Sequence, residues 1–493
     1  MRLHFRAVPM LALGLLSACA VGPDYQRPTA VVPARFKEAT EGWKPAEPND
    51  RHDRGPWWKR FGDAELDALE EKVANANQTV ASYEAAYRQA RALVAEARAS
   101  LFPTLGASGS AARAKGAGRS TTIPGGINAG ASTVGNIFDL SLDASWEPDL
   151  WGSVRRQVSG AKASAQAAGS DLDNAKLAAQ GLLAQNYFQL RALDATQLLL
   201  NDAVTGYQKS LQLTQNRYAQ GVAARPDVLQ AQTQLALARA SATENEIARA
   251  TYEHAIAVLV GEPASTFSVP RVPLTATPPP LPLEFPSTLL ERRPDIAAAE
   301  RRAAAANEQI GVAMAAWFPS LNLSASGGFV SSTLAQWLTA PHLVWSLGPQ
   351  LVATLFDGGL RAARTEQALA TYDQAVANYR ATVLAAFQDV EDNLVSLRVL
   401  EQEVVIQQEA VGYARQTLDV VLNQYKAGTV TYLQVVTAQN TLYSAQQTLA
   451  SIAGRRMVSA VGLIKALGGG WDTPPPPADR ASQRSEPSER PRQ

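Results

Sequence analysis

The chain has 493 residues, with 45 Lys and Arg against 45 Asp and Glu, so its formal net charge is zero. That balance leaves no electrostatic footprint for a nucleic-acid partner. A single Cys excludes an intramolecular disulfide, and four scattered His (His4, His52, His254, His342) make no metal-ligand cluster.

In chain order, residues 1–18 read as a signal peptide. Arg2 and Arg6 give a positive start, and Val8–Leu16 form an apolar run too short to span a bilayer. Leu16-Ser17-Ala18-Cys19 resembles the bacterial lipobox, which implies a covalent lipid on Cys19. Ala20 in place of an Asp then implies passage to the outer membrane. An ordinary signal peptide with an incidental Cys is the alternative. Residues 19–56, Pro-rich, are expected as a lipid-anchored extended segment laid over the body.

Residues 57–262 form a first repeat. Trp57-Trp58 precede a helix from Ala64 to about Arg98, with Leu66, Leu69, Val73, Val80, Tyr83 and Tyr87 at helical spacing. After Phe102-Pro103 the period changes to two. Leu140, Leu142, Ala144 and Trp146 alternate with Ser141, Asp143 and Ser145, and Leu105–Ala112 is a weaker strand. A helix of about 100 Å, at 1.5 Å per residue, is expected from Ser153 to Gln220, returning from Pro226 to Val260. Residues 263–290 are a Pro-rich linker. Residues 291–470 repeat the plan, with Phe318-Pro319, two alternating strands and a second long helical hairpin. Residues 471–493 read as a disordered tail.

The hairpin tips show that the halves are duplicates. Tyr218, Gly221, Val228 and Leu235 answer Tyr425, Gly428, Val435 and Leu442 at one offset of 207 (425 − 218). Gly221 and Gly428 stand where a helix ends and a left-handed residue is needed. The Phe-Pro pairs lie 216 apart (318 − 102), so the first half carries nine extra residues, assigned to its strand loop.

Four one-sided strands in an exported lipoprotein suggest a face toward lipid. An open four-stranded sheet leaves backbone groups unpaired at its edges, and membrane barrels begin at about eight strands, so several chains must combine. Three give twelve strands. The chain thus reads as an α+β membrane protein with duplicated halves and four β-strands per chain.

Cys19-Ala20-Val21-Gly22-Pro23-Asp24-Tyr25, Trp57-Trp58, Phe102-Pro103, Trp146–Gly152, Arg292–Ile296, Phe318-Pro319, Phe356–Gly359 and the two tip motifs together resemble the TolC/OprM-type outer-membrane factors, more narrowly the NodT-like efflux lipoproteins. The resemblance implies a homotrimer whose strands build a trimeric 12-stranded outer-membrane barrel continuous with a long periplasmic α-helical barrel, and an equatorial region from the termini and linker. It also implies a periplasmic adaptor (membrane fusion) protein and an inner-membrane efflux pump. It implies a passive exit duct for small molecules such as drugs, with no cofactor beyond the lipid on Cys19. Export of proteins or metal ions is the alternative within the family. A pore-free structural coiled coil is the alternative outside it. No Ser elbow, phosphate loop or HExxH motif points to an enzyme.

The resemblance also places the periplasmic aperture and adaptor docking at the tips. Tyr218, Gly221, Tyr425 and Gly428 are expected to build and brace the turns. Leu433 matches the family's apolar constriction residue, and Tyr432 or Leu433 is expected to pinch the opening. Gln434 and Thr437 stand where relatives often carry Asp, which weakens an acidic ring from that helix. Asp227, aligned with Gln434, carries the charge instead, or serves as a first-turn acid favourable to the helix dipole.

Overall fold

The structure, a computed structural model, describes residues 20–30, 36–37, 55–115, 134–279 and 293–469. Cys19, the signal segment and the expected tail lie outside the described residues. The chain divides into two compact units. One takes Met1–Thr29, Ala86–Ala168 and Ala298–Tyr379, the other Ala30–Ala85, Gly169–Ala297 and Arg380–Gln493. The helices are α1 (Ala64–Ala76), α2 (Gln78–Ala99), α3 (Ser153–Ala219), α4 (Arg225–Leu259), α5 (Pro294–Ala315), α6 (Leu360–Ala427) and α7 (Tyr432–Ala466). The strands are β1 (Thr104–Lys115), β2 (Val134–Trp146), β3 (Ser320–Ser331) and β4 (Leu343–Val352).

The two offsets reappear as element boundaries. α5 and β3 begin 216 residues after α2 and β1 (294 − 78, 320 − 104), whereas α6 and α7 begin 207 after α3 and α4 (360 − 153, 432 − 225). The extra nine residues of the first half therefore fall between β1 and α3.

In the first unit the strands pair antiparallel in sequence order. The register sorts the side chains by face. Leu105 lies beside Ala144, Leu142 beside Gly327, and Ala325 beside Leu347. One face thus carries Leu105, Leu140, Leu142, Trp146, Trp345 and Leu347, all exposed. The opposite face is mostly hydroxyl and amide. Ser108 and Ser141 are 2.8 Å apart, as are Ser326 and Ser346, and Ser145 donates to Asn322 at 3.3 Å. Apart from Gly328 and Ser331 in β3, the sheet residues are exposed or half-buried, so neither face is covered by the described residues.

The N-terminal segment is pinned to this unit. Val21 N–H donates to the Trp151 carbonyl at 3.0 Å, and Asn307 to the Pro23 carbonyl at 3.1 Å. Tyr25 Oη donates to Glu300 at 2.6 Å. The buried Arg156 gathers the Gly22 carbonyl (3.0 Å), Asp24 (3.3 Å) and Glu308 (3.2 Å). Gly22, at φ 106°, lies so close to α5 that a Cβ would stand 2.5 Å from Gly311 Cα.

In the second unit, Trp57, Trp58 and Phe61 form a buried 3-10 turn leading into α1. Asp63 caps that helix, accepting from Glu65 and Leu66 N–H at 3.0 and 3.1 Å, and also accepts from Tyr187 Oη at 2.6 Å. The expected single helix from Ala64 to Arg98 is broken. Asn77 is extended (ψ 119°), and its side chain caps α2 through Val80 N–H while donating to the Leu259 carbonyl at 2.9 Å. Tertiary contact outweighs helix propensity here, which is a weak prior.

The expected linker is held by a buried ionic cluster on α3 and α4. Arg249 pairs with Asp194 at 2.7 Å and with Glu253 at 3.2 Å, and donates to the Val269 carbonyl at 2.7 Å. Asp194 also accepts from Val272 N–H at 3.1 Å, and Glu253 from Val269 N–H at 2.7 Å. The backbone of Val269–Val272 thus satisfies charges that would be costly if left unpaired.

Candidate functional site: the hairpin tips

Both tips turn on a glycine in the left-handed region, Gly221 at φ 73° and Gly428 at φ 82°. Each closes its helix in the same manner. Gly221 N–H donates to Tyr218 O and Val222 N–H to Arg217 O, both at 2.9 Å; Gly428 N–H donates to Tyr425 O and Thr429 N–H to Gln424 O, both at 3.0 Å. This is the terminal pattern that satisfies the last carbonyls of a helix. Pro226 sits in the first turn of α4, where a missing N–H costs nothing. Asp227 Oδ2 reaches back to Ala224 N–H at 3.4 Å, a long contact.

The second tip has an aromatic core. Tyr425 and Tyr432 pack with ring centroids 5.7 Å apart, buried with Ala231, Val435 and Val436. Tyr425 Oη donates to Thr214 Oγ1 at 3.3 Å. Arg217 lies 4.8 Å over the Tyr425 ring and donates to the Lys426 carbonyl at 3.0 Å. The first repeat's helix thereby covers the C-terminal end of α6 with a cation, the favourable sign for that end. Burial pushes the Tyr432 hydroxyl up to about 12, with Tyr425 and Asp227 adding to it. That hydroxyl is buried and has no hydrogen-bond partner among the described residues.

The structure separates the expected aperture residues. Tyr432 is enclosed within the hairpin, so its ring is not presented outward, while Leu433 is 65% exposed. Gln434 and Thr437 are exposed beside it, and Asp227 is half-buried. Leu433, Gln434 and Thr437 line an open groove of about 370 Å³ together with Val421, Ala438 and Thr441. The two bracing tyrosines differ, since Tyr425 is buried and Tyr218 is 48% exposed. The pairing of Arg217 with Tyr425 and Lys426 escaped the sequence reading, because it joins residues 208 and 209 positions apart with no local signal.

Among the described residues no group of three or more His, Cys, Asp or Glu is placed to hold a metal, and no helix is long and apolar enough to cross a membrane. The described chain combines a four-stranded sheet with one apolar and one polar face and helices of 67 and 68 residues that end in glycine turns. The sequence matches the family described as outer membrane efflux protein over residues 69–262 and 285–469. Pyoverdine export outer membrane protein OpmQ of Pseudomonas aeruginosa is 32% identical over 460 residues, covering 93% of this chain and 95% of that protein. Cation efflux system protein CusC of Escherichia coli O6:H1 is 26% identical, covering 94% of this chain and 99% of its own. The solved outer-membrane channel OprN superposes with a TM-score of 0.82 at 30% identity, covering 92% of this chain and all of that one. The chain belongs to the outer membrane efflux protein family and is an outer-membrane transport component.

Proposed function

We propose that three copies of this chain form a passive exit duct of a tripartite efflux system. The four-stranded sheets combine into a twelve-stranded barrel in the outer membrane, and the long hairpins form a periplasmic tube closed at the tips. The sheet carries this reading. Its apolar face suits lipid, its serine face suits water, and its edge strands β1 and β4 each have one side unpaired among the described residues. Barrel closure removes both the open edges and the exposed Leu and Trp side chains from water.

The proposed organisation is a signal peptide (1–18), a lipid-anchored segment (19–56), two repeats (57–262 and 291–470) joined by a linker (263–290), and a tail (471–493). Cys19 carries the lipid anchor, next to Ala20, which touches Gly152 just before α3. Leu433 narrows the aperture, with Gln434 and Thr437 beside it. Tyr432 and Tyr425 hold the second hairpin from within, and Asp227 supplies charge from the first. Gly221 and Gly428, with the exposed Tyr218, present the turns to a periplasmic adaptor protein, and an inner-membrane pump supplies the energy.

The cargo is a small organic molecule, in line with the toluene named for the efflux protein TtgI; metal-ion cargo, in line with the cation efflux named for CusC, is the second reading, and protein secretion a third. The neutral tip positions Gln434 and Thr437 favour the organic cargo over a cation. Electron microscopy of the detergent-purified protein tests the assembly. Three chains around one tube are expected, and any other number overturns it. Deleting the coding sequence should sensitise cells to organic toxicants; sensitivity confined to metal salts would select the second reading.

A further inference from the structure

The four charged residues of the strands sort by face and by sign. Asp139 and Asp143 of β2 lie in register with Ser110 and Gly106, on the serine face. Arg113 and Lys115 of β1 follow Leu105 by eight and ten residues (113 − 105, 115 − 105), in a strand paired without a break. An even count keeps side chains on one face, so both cations share the apolar face with Leu105.

Their height on that face is set by the chain's connections. β1 is entered from α2 at Thr104, and β2 leaves for α3 after Trp146, so the two cations mark the end farthest from the helices. Between Leu105 and Arg113 this face of β1 carries only Ala107, Gly109 and Ala111. Eight residues span about 27 Å at 3.4 Å each. A strand tilted by about 40° then covers about 21 Å of membrane height, close to the apolar band of about 25 Å on a membrane barrel. Arg113 and Lys115 stand at its far rim.

Both are exposed, and neither side chain has an ion-pair or hydrogen-bond partner among the described residues. The sequence offers no local counter-charge either, since no Asp or Glu occurs between Glu96 and Asp139. Arg113 lies beside Asn136, a further donor. Two residues on, Phe138 shares this face and packs against Trp337 with ring centroids 5.8 Å apart. Trp337 Nε1 is held by the Phe329 carbonyl at 3.1 Å. Free cations thus border a fixed aromatic patch.

We propose that this rim binds the phosphorylated headgroup of an outer-leaflet glycolipid. The proposal rests on the barrel described above, which sets the apolar face in lipid and the end remote from the helices in the outer leaflet. Arg113 offers a planar fork for two phosphate oxygens and Lys115 a point charge. Acyl chains below the headgroup lie against Ala111, Phe138 and Trp337. The acids sit on the opposite face, so the attraction for phosphate is confined to the lipid side. Cations that only reached for water would show no preference for phosphate.

The full-length protein in detergent is mixed with diphosphoryl lipid A or its dephosphorylated form, and bound lipid is counted by native mass spectrometry. The wild type should favour the phosphorylated lipid by about tenfold or more. Arg113→Gln with Lys115→Gln should bind the two lipids equally. Lys209→Gln with Arg239→Gln, the same loss of charge at exposed positions on α3 and α4, should keep the preference. Equal binding by the wild type, a preference that survives in the rim variant, or one lost in the helix variant overturns the site. Displacement of the bound lipid by inorganic phosphate alone would overturn the lipid as its ligand. Wild-type protein that fails to enter phosphatidylcholine vesicles would instead overturn the barrel.

Discussion

Tyr425 and Tyr432 face each other inside the second hairpin at 5.7 Å, whereas Tyr218, the counterpart of Tyr425, is half exposed. The reason lies seven residues on. The position that matches Tyr432 is Arg225, which leaves Tyr218 no second ring to pack against. The duplicated tips therefore share a backbone and differ in their core.

The Tyr432 hydroxyl is buried without a partner among the described residues, which costs on the order of 1–3 kcal/mol. Tyr432→Phe should leave the second hairpin as stable as the wild type or more so, and Tyr432→Ala should weaken it by roughly 3–5 kcal/mol. Hydrogen exchange across residues 420–440 reads both. A Phe variant that exchanges faster than wild type would mean the hydroxyl is satisfied.

Leu433 is exposed, so Leu433→Ala should change stability by no more than about 0.5 kcal/mol. Its expected effect is on passage, as higher single-channel conductance in planar bilayers and greater antibiotic leakage. An unchanged closed state would remove Leu433 from the gate.

Glu70 is fully buried on α1, and neither carboxylate oxygen has a hydrogen-bond partner among the described residues. Burial, with a smaller contribution from Asp67, pushes its carboxyl up to about 9 from an ordinary 4.5. Between those values the folded chain keeps a proton that the unfolded chain has released. Stability is therefore full below the ordinary value and falls as pH rises toward the folded one, by at most about 1.4 kcal/mol per pH unit. Glu70→Gln mimics the neutral acid. Its thermal midpoint should exceed that of the wild type by a margin that grows between about pH 6 and about pH 8. Parallel midpoints would show that Glu70 is ionised in the fold.

Gly22 combines a positive φ with a backbone contact that no side chain fits. Gly22→Ala should strain the turn and lift residues 20–25 from Arg156 and Asn307. Limited proteolysis should then cut the N-terminal segment several-fold faster, with the α6–α7 hairpin still protected. Equal cleavage rates would mean that the segment tolerates the methyl group.

The duplication, the strands and the turn glycines were legible because each follows a period or an offset. The helix break at Asn77 was not, since Asn75 and Asn77 look alike in sequence and only the Leu259 carbonyl distinguishes them. The cluster around Asp194 was hidden because carboxylates on helices ordinarily face water. The i,i+4 spacing of Arg249 and Glu253 was its one local trace. At the tips, the choice of Leu433 as the exposed residue and Tyr432 as the enclosed one depends on helix rotation, which a repeat offset does not encode.

The serine face of the sheet has a bearing on throughput. Ser108 with Ser141, and Ser326 with Ser346, bond to each other and so offer a passing solute little unmet hydrogen-bonding capacity. Their side chains are also too short to grip it by apolar contact. A surface of self-satisfied hydroxyls acts as a low-friction wall. In the proposed duct such a wall would stay wet and offer little grip, so chemically unlike solutes should leave at similar rates.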